Sequence, residues 1–371
     1  YSIRSTCVPS AAASSRSARE LRKPVLVHVV TKKGKGYKYA EEHPEKFHGV
    51  GRFDIETGEL HDSGDCFSAK MGESLSRLAD NDGRIIGITA AMSSGTGMDV
   101  FSAAHPDRFF DVGIAEGHAV SMAGGMAKQG MVPVFAVYSS FLQRGYDMLI
   151  HDVALQNLHV VFCVDRAGLV GSDGETHHGV FDVSYLSSVP DMTVLCPASY
   201  AELETMLRAA IYDINGSVAI RYPRGGEGKY TACNTAPETL LRDGRDVTLV
   251  CYGIMTNEVL DAAERLAAEG ISAEVIKLSM IKPPDFDLVM RSLRKTGKLL
   301  ISEDVCEAGC VGSRILEEAA ISEIDIRAAK LLNLGEGIVP HGTVAELLHD
   351  FGLDADGIVS AAMEMMDKDM K

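Results

Sequence analysis

The sequence has little positive charge for its length of 371 residues. It carries 36 lysines and arginines against 52 aspartates and glutamates, which gives a net charge of −16 at pH 7. A chain with this balance has no general attraction to nucleic acid or to an anionic membrane surface. We therefore predict that it binds neither nucleic acid nor membrane, and that any anionic ligand is held by a local cluster of cations.

Long apolar runs and an ordered cysteine pattern are also absent. No segment approaches the roughly 18 consecutive apolar residues that a membrane-spanning helix needs. The eight cysteines are scattered, and the closest pair, Cys306 and Cys310, has neither a second pair nor a nearby histidine at zinc spacing. These absences predict no metal site, no disulfide framework and a reducing, cytoplasmic location.

What the sequence does contain is a regular alternation of short apolar strands with amphipathic helices. The first series runs from about residue 71 to 226, and the second begins near residue 244 after a polar, turn-rich linker over 227–243. Such alternation predicts an α/β protein with two consecutive domains, each a parallel sheet covered by helices on both faces. The predicted strands of the first series are RIIGITA, FFDVGI, VPVFAVY, HVVFCVD, MTVLCP and SVAIRYP, and its helices span 72–80, 116–129, 143–156 and 199–213.

The first 70 residues do not follow this alternation. Residues 1–20 are rich in serine, alanine and arginine, and we interpret them as an atypical start or a linker. The run VLVHVVT at 25–31 predicts one buried strand, followed by a basic glycine loop and a long connection over 38–70. A single strand cannot bury both of its faces, so this segment is expected to need partners from elsewhere.

Polar side chains follow several of the predicted strands at the point where each strand ends. Glu116 follows FFDVGI, Tyr138 ends VPVFAVY, Arg166 follows HVVFCVD and Arg224 follows SVAIRYP. Ligands of open parallel sheets bind at this edge. Each residue also has a simpler explanation, such as a helix cap for Glu116.

One anionic pocket nevertheless explains all four strand ends more economically than independent causes. Two arginines could hold a phosphate, and an acid with a nearby histidine could transfer protons. The residues alone therefore indicate an α/β enzyme that acts on a small phosphorylated or carboxylated substrate. A binding module without chemistry remains the alternative.

Four stretches carry a resemblance to a known family. DVGIAEGHAVSMAGGMA, YSSFLQRGYDMLIHDVA, DRAGLVGSDGETHHGVFD and RYPRG resemble the 1-deoxy-D-xylulose-5-phosphate synthases, thiamine-diphosphate enzymes of the transketolase superfamily. TKKGKGY and FHGVGRFD resemble the end of that family's first domain. The resemblance covers about residues 20–371. It implies the remnant of a diphosphate-binding domain at 21–70, a pyrimidine-binding domain at 71–228 and a transketolase C-terminal domain at 240–371.

The resemblance assigns cofactor-binding roles to three residues. Glu116 matches the glutamate beside the aminopyrimidine ring of thiamine diphosphate, where it stabilises the imino tautomer that activates the cofactor. Phe141 matches the aromatic residue that packs on the pyrimidine, and Lys33 lies in a loop that approaches the cofactor. His48 matches an active-site histidine of the first domain, so it joins Glu116 in the expected catalytic set.

The resemblance also implies a substrate site and a reaction. Arg166 and Arg224 match the phosphate-holding arginines, and Tyr138 and Arg144 match substrate-binding positions. Asp173 and His177 match polar residues of the active-site loop and complete the expected catalytic set. The implied reaction, in a homodimer, joins pyruvate and D-glyceraldehyde 3-phosphate to give 1-deoxy-D-xylulose 5-phosphate and carbon dioxide. It is the first step of non-mevalonate isoprenoid biosynthesis and also feeds thiamine and pyridoxal synthesis.

The sequence departs from the family pattern in two places. Gly117 replaces the glutamine that usually follows the catalytic glutamate. More importantly, the sequence contains no Gly-Asp-Gly motif, which in the family holds Mg²⁺ and the diphosphate together with a later asparagine. We therefore expect a fragment or truncated form of such a synthase, without magnesium ligands of its own. The alternatives are one subunit of a split transketolase or a 2-oxoacid dehydrogenase E1 beta-type protein, or a non-catalytic dimerisation remnant.

Overall fold

The computed structural model describes residues 2–5, 8–44, 46–47, 50–60 and 64–367. The chain divides into two compact units, Tyr1–Gly64 and Asp65–Lys371. None of the helices in the described ranges is long and apolar enough to cross a membrane.

The first unit contains a two-stranded parallel sheet, in which Ser2 lies opposite Leu26. The predicted strand at 25–31 is present, but the prediction that it is buried is wrong, because Leu26 is 70% exposed. A sheet of two strands offers too few neighbours to cover such side chains. The elements of this unit are β1 (Ser2–Ser5), α1 (Val8–Glu20), β2 (Leu26–Val29) and α2 (Lys38–Glu42).

The second unit begins with the first α/β series that the sequence predicts. Its elements are α3 (Phe67–Ala79), β3 (Ile85–Thr89), α4 (Met98–Ala104), β4 (Phe109–Asp111), α5 (Glu116–Lys128), β5 (Val132–Tyr138), α6 (Ser139–Leu142), α7 (Tyr146–Met148), β6 (Val161–Asp165), α8 (Asp182–Ser188), β7 (Thr193–Leu195), α9 (Tyr200–Tyr212) and β8 (Val218–Arg221). The second series follows in the same unit. It comprises β9 (Glu238–Arg242), β10 (Val247–Tyr252), α10 (Thr256–Ala268), β11 (Ala273–Leu278), β12 (Met280–Lys282), α11 (Asp287–Thr296), β13 (Lys298–Ser302), α12 (Val311–Ile321), β14 (Ala328–Leu332), α13 (Val344–Asp350) and α14 (Ala355–Asp367).

Two mostly parallel sheets result, which confirms the predicted fold class. The seven-stranded sheet has the order β12-β7-β8-β6-β5-β3-β4, and the five-stranded sheet has the order β14-β13-β10-β11-β9. Along β5, Phe135 and Val137 enter one apolar cluster, whereas Val134 and Ala136 enter another. Alternate residues of a strand point to opposite faces, so this sheet is buried on both sides, as the apolar runs predicted.

Each sheet ends in one antiparallel strand that the sequence analysis did not predict. β9 lies in the predicted linker and pairs with β11, while β12 pairs with β7 of the other sheet. The apolar run AEVIKLSM over 273–280 therefore breaks at Ser279. The Ser279 N–H donates to Pro237 O, and its carbonyl accepts from Cys196 N–H, so the backbone leaves one sheet and joins the other at this residue.

The predicted helix over 143–156 is also irregular. It consists of a 3₁₀ turn, the short α7, a π-helical turn over Leu149–Val153 and a second 3₁₀ turn. This segment packs closely on α5: a Cβ on Gly145 would lie 2.9 Å from Val120 Cγ2, and a Cβ on Gly124 would lie 3.0 Å from Asp152 O. Glycines allow this approach because they lack a side chain.

A buried ion pair joins the two series inside the second unit. Lys277 on β11 and Glu202 on α9 are fully buried, with Nζ 2.8 Å from Oε1. Lys277 Nζ also donates to Asn234 O and Ser279 Oγ, and the Tyr230 hydroxyl donates to Glu202. Removing one partner from such a pair leaves the other charge buried without compensation.

We expect Lys277→Met to lower the free energy of unfolding by about 3–5 kcal/mol for this reason. The exposed Lys229, changed to methionine in the same way, is the matched control and should change stability by less than about 0.5 kcal/mol. Urea denaturation of the three proteins measures the difference. Equal stability of both variants would show that the buried pair contributes nothing.

Candidate functional site

The site begins at the first residue of α5. Glu116 is only 3% exposed there, and a carboxylate is favoured by the positive end of the helix. Arg144 Nη1 donates to Glu116 Oε1 at 3.1 Å, and its own side chain is 62% exposed. Among the described residues, no donor reaches Glu116 Oε2. A buried carboxylate with one committed oxygen can hold a proton-bearing ligand group with the other.

Beyond Glu116 and Arg144, two aromatic rings lie near the end of β5. Arg144 Cζ lies 5.6 Å from the centre of the Phe141 ring, which stacks on Tyr138 with centroids 5.5 Å apart and planes at 30°. The His177 ring meets Phe141 edge-on at 5.2 Å. Burial raises the pKa of Tyr138 to about 12, so its hydroxyl remains protonated and can donate a hydrogen bond at neutral pH.

The two arginines at the ends of β6 and β8 meet at one carboxylate. Arg166 Nε and Arg224 Nε each lie 3.1 Å from Asp173 Oδ2, although 58 residues separate the arginines in sequence. Arg224 Nη1 also donates to Ser172 Oγ at 2.8 Å. Both guanidinium groups therefore contact the same carboxylate oxygen. Their convergence on one point indicates a position that suits a negatively charged ligand.

Arg166 is held more rigidly than Arg224. Its side chain is 12% exposed, against 39% for Arg224, and its Cζ lies 3.7 Å from the centre of the Tyr138 ring. Nη1 donates to Gly95 O at 2.8 Å and to Asp165 Oδ1 at 3.1 Å. The backbone φ of Arg166 is +59°, a left-handed conformation that costs an arginine about 1–2 kcal/mol. These contacts hold the guanidinium in place despite that strain.

These contacts form one continuous row of side chains along the carboxyl edge of the seven-stranded sheet. In order, the members are Glu116, Arg144, Phe141, Tyr138, Arg166, Asp173 and Arg224. His177 lies beside the middle of the row. Burial lowers the pKa of His177, and Arg166 and Arg224 lower it further against the opposing charge of Asp173. The imidazole is therefore neutral at pH 7 and can either donate or accept a hydrogen bond.

The other two predicted site residues, Lys33 and His48, precede the second unit in the sequence. Lys33 lies in an exposed turn of the first unit, between β2 and α2. His48 lies outside the described residues.

One acid at a predicted strand end, Asp165, was not among the expected catalytic or binding residues and lies directly behind the row. Asp165 is the last residue of β6, is fully buried and accepts a 2.6 Å hydrogen bond from Ser68 Oγ as well as the bond from Arg166. An acid at the end of the otherwise apolar run HVVFCVD was the available signal. Burial raises the pKa of Asp165 to about 6, although Arg166 and Ser68 act in the opposite direction.

This pKa predicts a pH dependence of stability. The unfolded chain ionises Asp165 near pH 3.9, whereas the folded chain keeps the proton until about pH 6, so ionisation favours unfolding between these values. Relative to Asp165→Asn, the free energy of unfolding of the wild-type protein should therefore fall by about 2–3 kcal/mol as the pH rises from 4 to 7, with no further change above.

Urea midpoints measured at several pH values between 4 and 8 test this prediction, with the exposed Asp213→Asn as the control. A difference between wild type and Asp165→Asn that stays constant over this range would contradict it.

Comparison with known proteins gives two family matches. The transketolase pyrimidine-binding domain matches residues 67–227, and the transketolase C-terminal domain matches residues 238–358. A split-gene transketolase, described as an inactive β4 tetramer, superimposes with a TM-score of 0.74 at 29% identity. That match covers 82% of this chain and 99% of the transketolase chain.

Curated relatives extend the similarity over almost the whole chain. The 1-deoxy-D-xylulose-5-phosphate synthase of Heliobacterium modesticaldum is 45% identical over 95% of this chain and 56% of its own length. The enzyme of Chlorobaculum tepidum is 46% identical over 94% of this chain and 57% of its own length. The chain thus spans a little over half the length of these relatives. It contains a transketolase pyrimidine-binding domain followed by a transketolase C-terminal domain, and over these two domains it is similar to the 1-deoxy-D-xylulose-5-phosphate synthases.

Proposed function

We propose that this chain provides the pyrimidine-binding and C-terminal domains of a 1-deoxy-D-xylulose-5-phosphate synthase. The proposed reaction joins pyruvate and D-glyceraldehyde 3-phosphate to 1-deoxy-D-xylulose 5-phosphate with loss of carbon dioxide. A cytoplasmic homodimer that uses Mg²⁺, and a role in isoprenoid and thiamine biosynthesis, belong to the same proposal. The observation that carries it is the continuous row of contacts from Glu116 to Arg224, because it places an acid, aromatic rings and a cation pair along one edge.

The residues at one end of the row fit the aminopyrimidine of thiamine diphosphate. Glu116 is buried and leaves Oε2 without a donor among the described residues, and Phe141 offers an aromatic ring against the same Arg144 side chain. When bound, this cofactor supplies the nucleophilic carbon and the electron sink for decarboxylation. The role of Glu116 is to hold the proton between its carboxylate and the ring nitrogen, and Phe141 supports the ring by packing.

The other end of the row fits a phosphorylated aldehyde. Arg166 and Arg224 would bind the phosphate. Asp173 forms ion pairs with both arginines in this structure, so some of these contacts must break when the phosphate binds. Tyr138 can donate to a substrate oxygen because its hydroxyl stays protonated. The neutral His177 and the exposed Arg144 lie between the two ends, where they would position the reacting groups.

The metal ion that would accompany the diphosphate has no evident ligands among the described residues. No group of three or more His, Cys, Asp or Glu side chains there is arranged to hold a metal ion, and the sequence lacks Gly-Asp-Gly. We therefore assign no magnesium ligand. We propose that residues 21–70 belong to the end of a preceding diphosphate-binding domain, through which Lys33 and His48 would reach the cofactor. The limits proposed for the two following domains are 71–228 and 240–371.

A split-transketolase subunit fits less well than a synthase. The similar split-gene transketolase shares 29% of its residues with this chain, whereas the synthase relatives share 45–46% over a larger part of it.

The proposed substrate site predicts a selective defect. In an enzyme completed with the first domain of the Heliobacterium relative, Arg224→Ala should raise the KM for glyceraldehyde 3-phosphate about 10- to 100-fold, because a hydrogen bond to a charged group is lost. The KM for pyruvate should change less than twofold. Arg208→Ala, which removes an exposed arginine paired with Asp213, is the matched control. Equal losses for both substrates would show that Arg224 acts structurally.

A further inference from the structure

A second cleft lies between α8, β12 and α12 and shares no residue with the row described above. Its volume is about 680 Å³, within the range of small-molecule sites. Two cations, Lys282 and Arg314, line it together with serine side chains of α8 and with Pro283 and Pro284. The cleft therefore combines a polar wall with an apolar one.

The two cations converge on the end of α8. Lys282 Nζ donates to Ser187 O at 2.9 Å and to Val189 O, and Arg314 Nη1 donates to Ser187 Oγ at 3.3 Å. Both charged groups thus meet at Ser187, although one is carried by β12 and the other by α12. The carbonyls at the end of α8 offset part of the charge of Lys282, as cations commonly do at helix C-termini.

The charge of Arg314 is less well compensated. Within the described ranges, neither Arg314 nor Lys282 has a carboxylate oxygen within 4 Å, and Arg314 uses one of its five N–H donors. Asp191 is the acid among the residues that line the cleft. Burial lowers the pKa of both cations, and the charge of Arg314 lowers that of Lys282 further. Glu303 and Glu317 act against this lowering for Arg314, but neither lies within ion-pair distance of its guanidinium group, so an entering anion could pair with it directly.

We propose that this cleft binds a small phosphate-bearing molecule, with Arg314 as its principal contact and Lys282 as the second. The forked donors of arginine match the oxygens of a phosphate group. The exposed Pro283 and Pro284 give an organic part of the ligand an apolar surface to pack on. The chain as a whole has a net charge of −16, so two cations without a paired carboxylate at one cleft form a local positive region.

Calorimetric titration of the full chain with inorganic phosphate tests the proposal. Because Arg224 belongs to another proposed phosphate site, the titrations use Arg224→Gln as the background. This variant should bind phosphate, and adding Arg314→Gln should weaken the affinity at least about tenfold. Adding Arg314→Lys instead, which keeps the positive charge but loses the paired N–H donors of the guanidinium group, should give an intermediate phosphate affinity. Absence of phosphate binding to Arg224→Gln, or equal affinity with and without Arg314→Gln, would overturn the proposal.

Two further measurements complete the experiment. Within the described part of the chain, Arg314 makes a single long hydrogen bond, so thermal melting without phosphate should show that Arg314→Gln is folded. If it is not folded, the comparison with Arg314→Lys decides. Titration with phenyl phosphate identifies the source of the phosphate group. Tighter binding than inorganic phosphate supports an organic phosphate ester, and equal binding supports the free ion as ligand. Phenyl phosphate binding that is unchanged by Arg314→Gln would contradict the assignment.

Discussion

A polypeptide of residues 1–371 alone should bind thiamine diphosphate with a Kd weaker than about 1 mM and should not form deoxyxylulose phosphate. The diphosphate carries most of the cofactor's charge, and the described residues offer no metal-binding group for it. The ring contacts of Glu116 and Phe141 would remain, but association still costs the full loss of translational and rotational freedom. Calorimetry with Mg²⁺ and the cofactor, followed by a pyruvate decarboxylation assay, measures both quantities.

Micromolar binding or steady turnover by this polypeptide would contradict the prediction. Addition of the separately expressed first domain of the Heliobacterium relative is the matching positive experiment. Recovery of turnover would support a synthase, and its failure despite association of the two parts would favour a non-catalytic remnant.

In the completed enzyme, Glu116→Gln should lower kcat by about 10²- to 10⁴-fold, the usual contribution of a positioned acid–base group. Glutamine keeps the size of the side chain and can still accept from Arg144. It cannot, however, hold a proton between a carboxylate and the pyrimidine ring. The KM for glyceraldehyde 3-phosphate should change little, because the phosphate is expected at the opposite end of the row, at Arg166 and Arg224.

Steady-state kinetics of Glu116→Gln should be compared with those of Glu204→Gln. Glu204 is an exposed carboxylate in the same domain, paired with Arg77, and its loss should leave kcat within about twofold. A Glu116 variant with wild-type kcat and intact folding would show that this acid only caps α5.

The sequence by itself determined the architecture and the edge of the sheet on which the candidate site lies. Apolar runs such as VPVFAVY are buried on both faces, and only parallel strands between helix layers provide that environment. Because the carboxyl ends of parallel strands share one edge, the strand ends at Tyr138, Arg166 and Arg224 could be expected to converge. The motifs at these ends were also sufficient to indicate the family.

The tertiary structure alone decided which side chains contact one another. Local periodicity contains no information on the Asp173 carboxylate between Arg166 and Arg224, or on Asp165 behind them, since these contacts depend on loop conformation. Local periodicity also could not predict the strand break at Ser279. The run is continuously apolar there, but backbone hydrogen bonds connect this residue to segments of two different sheets. The cleft at Arg314 is the clearest case. Its two cations are 32 residues apart, and only the packing of α12 against α8 and β12 brings them together.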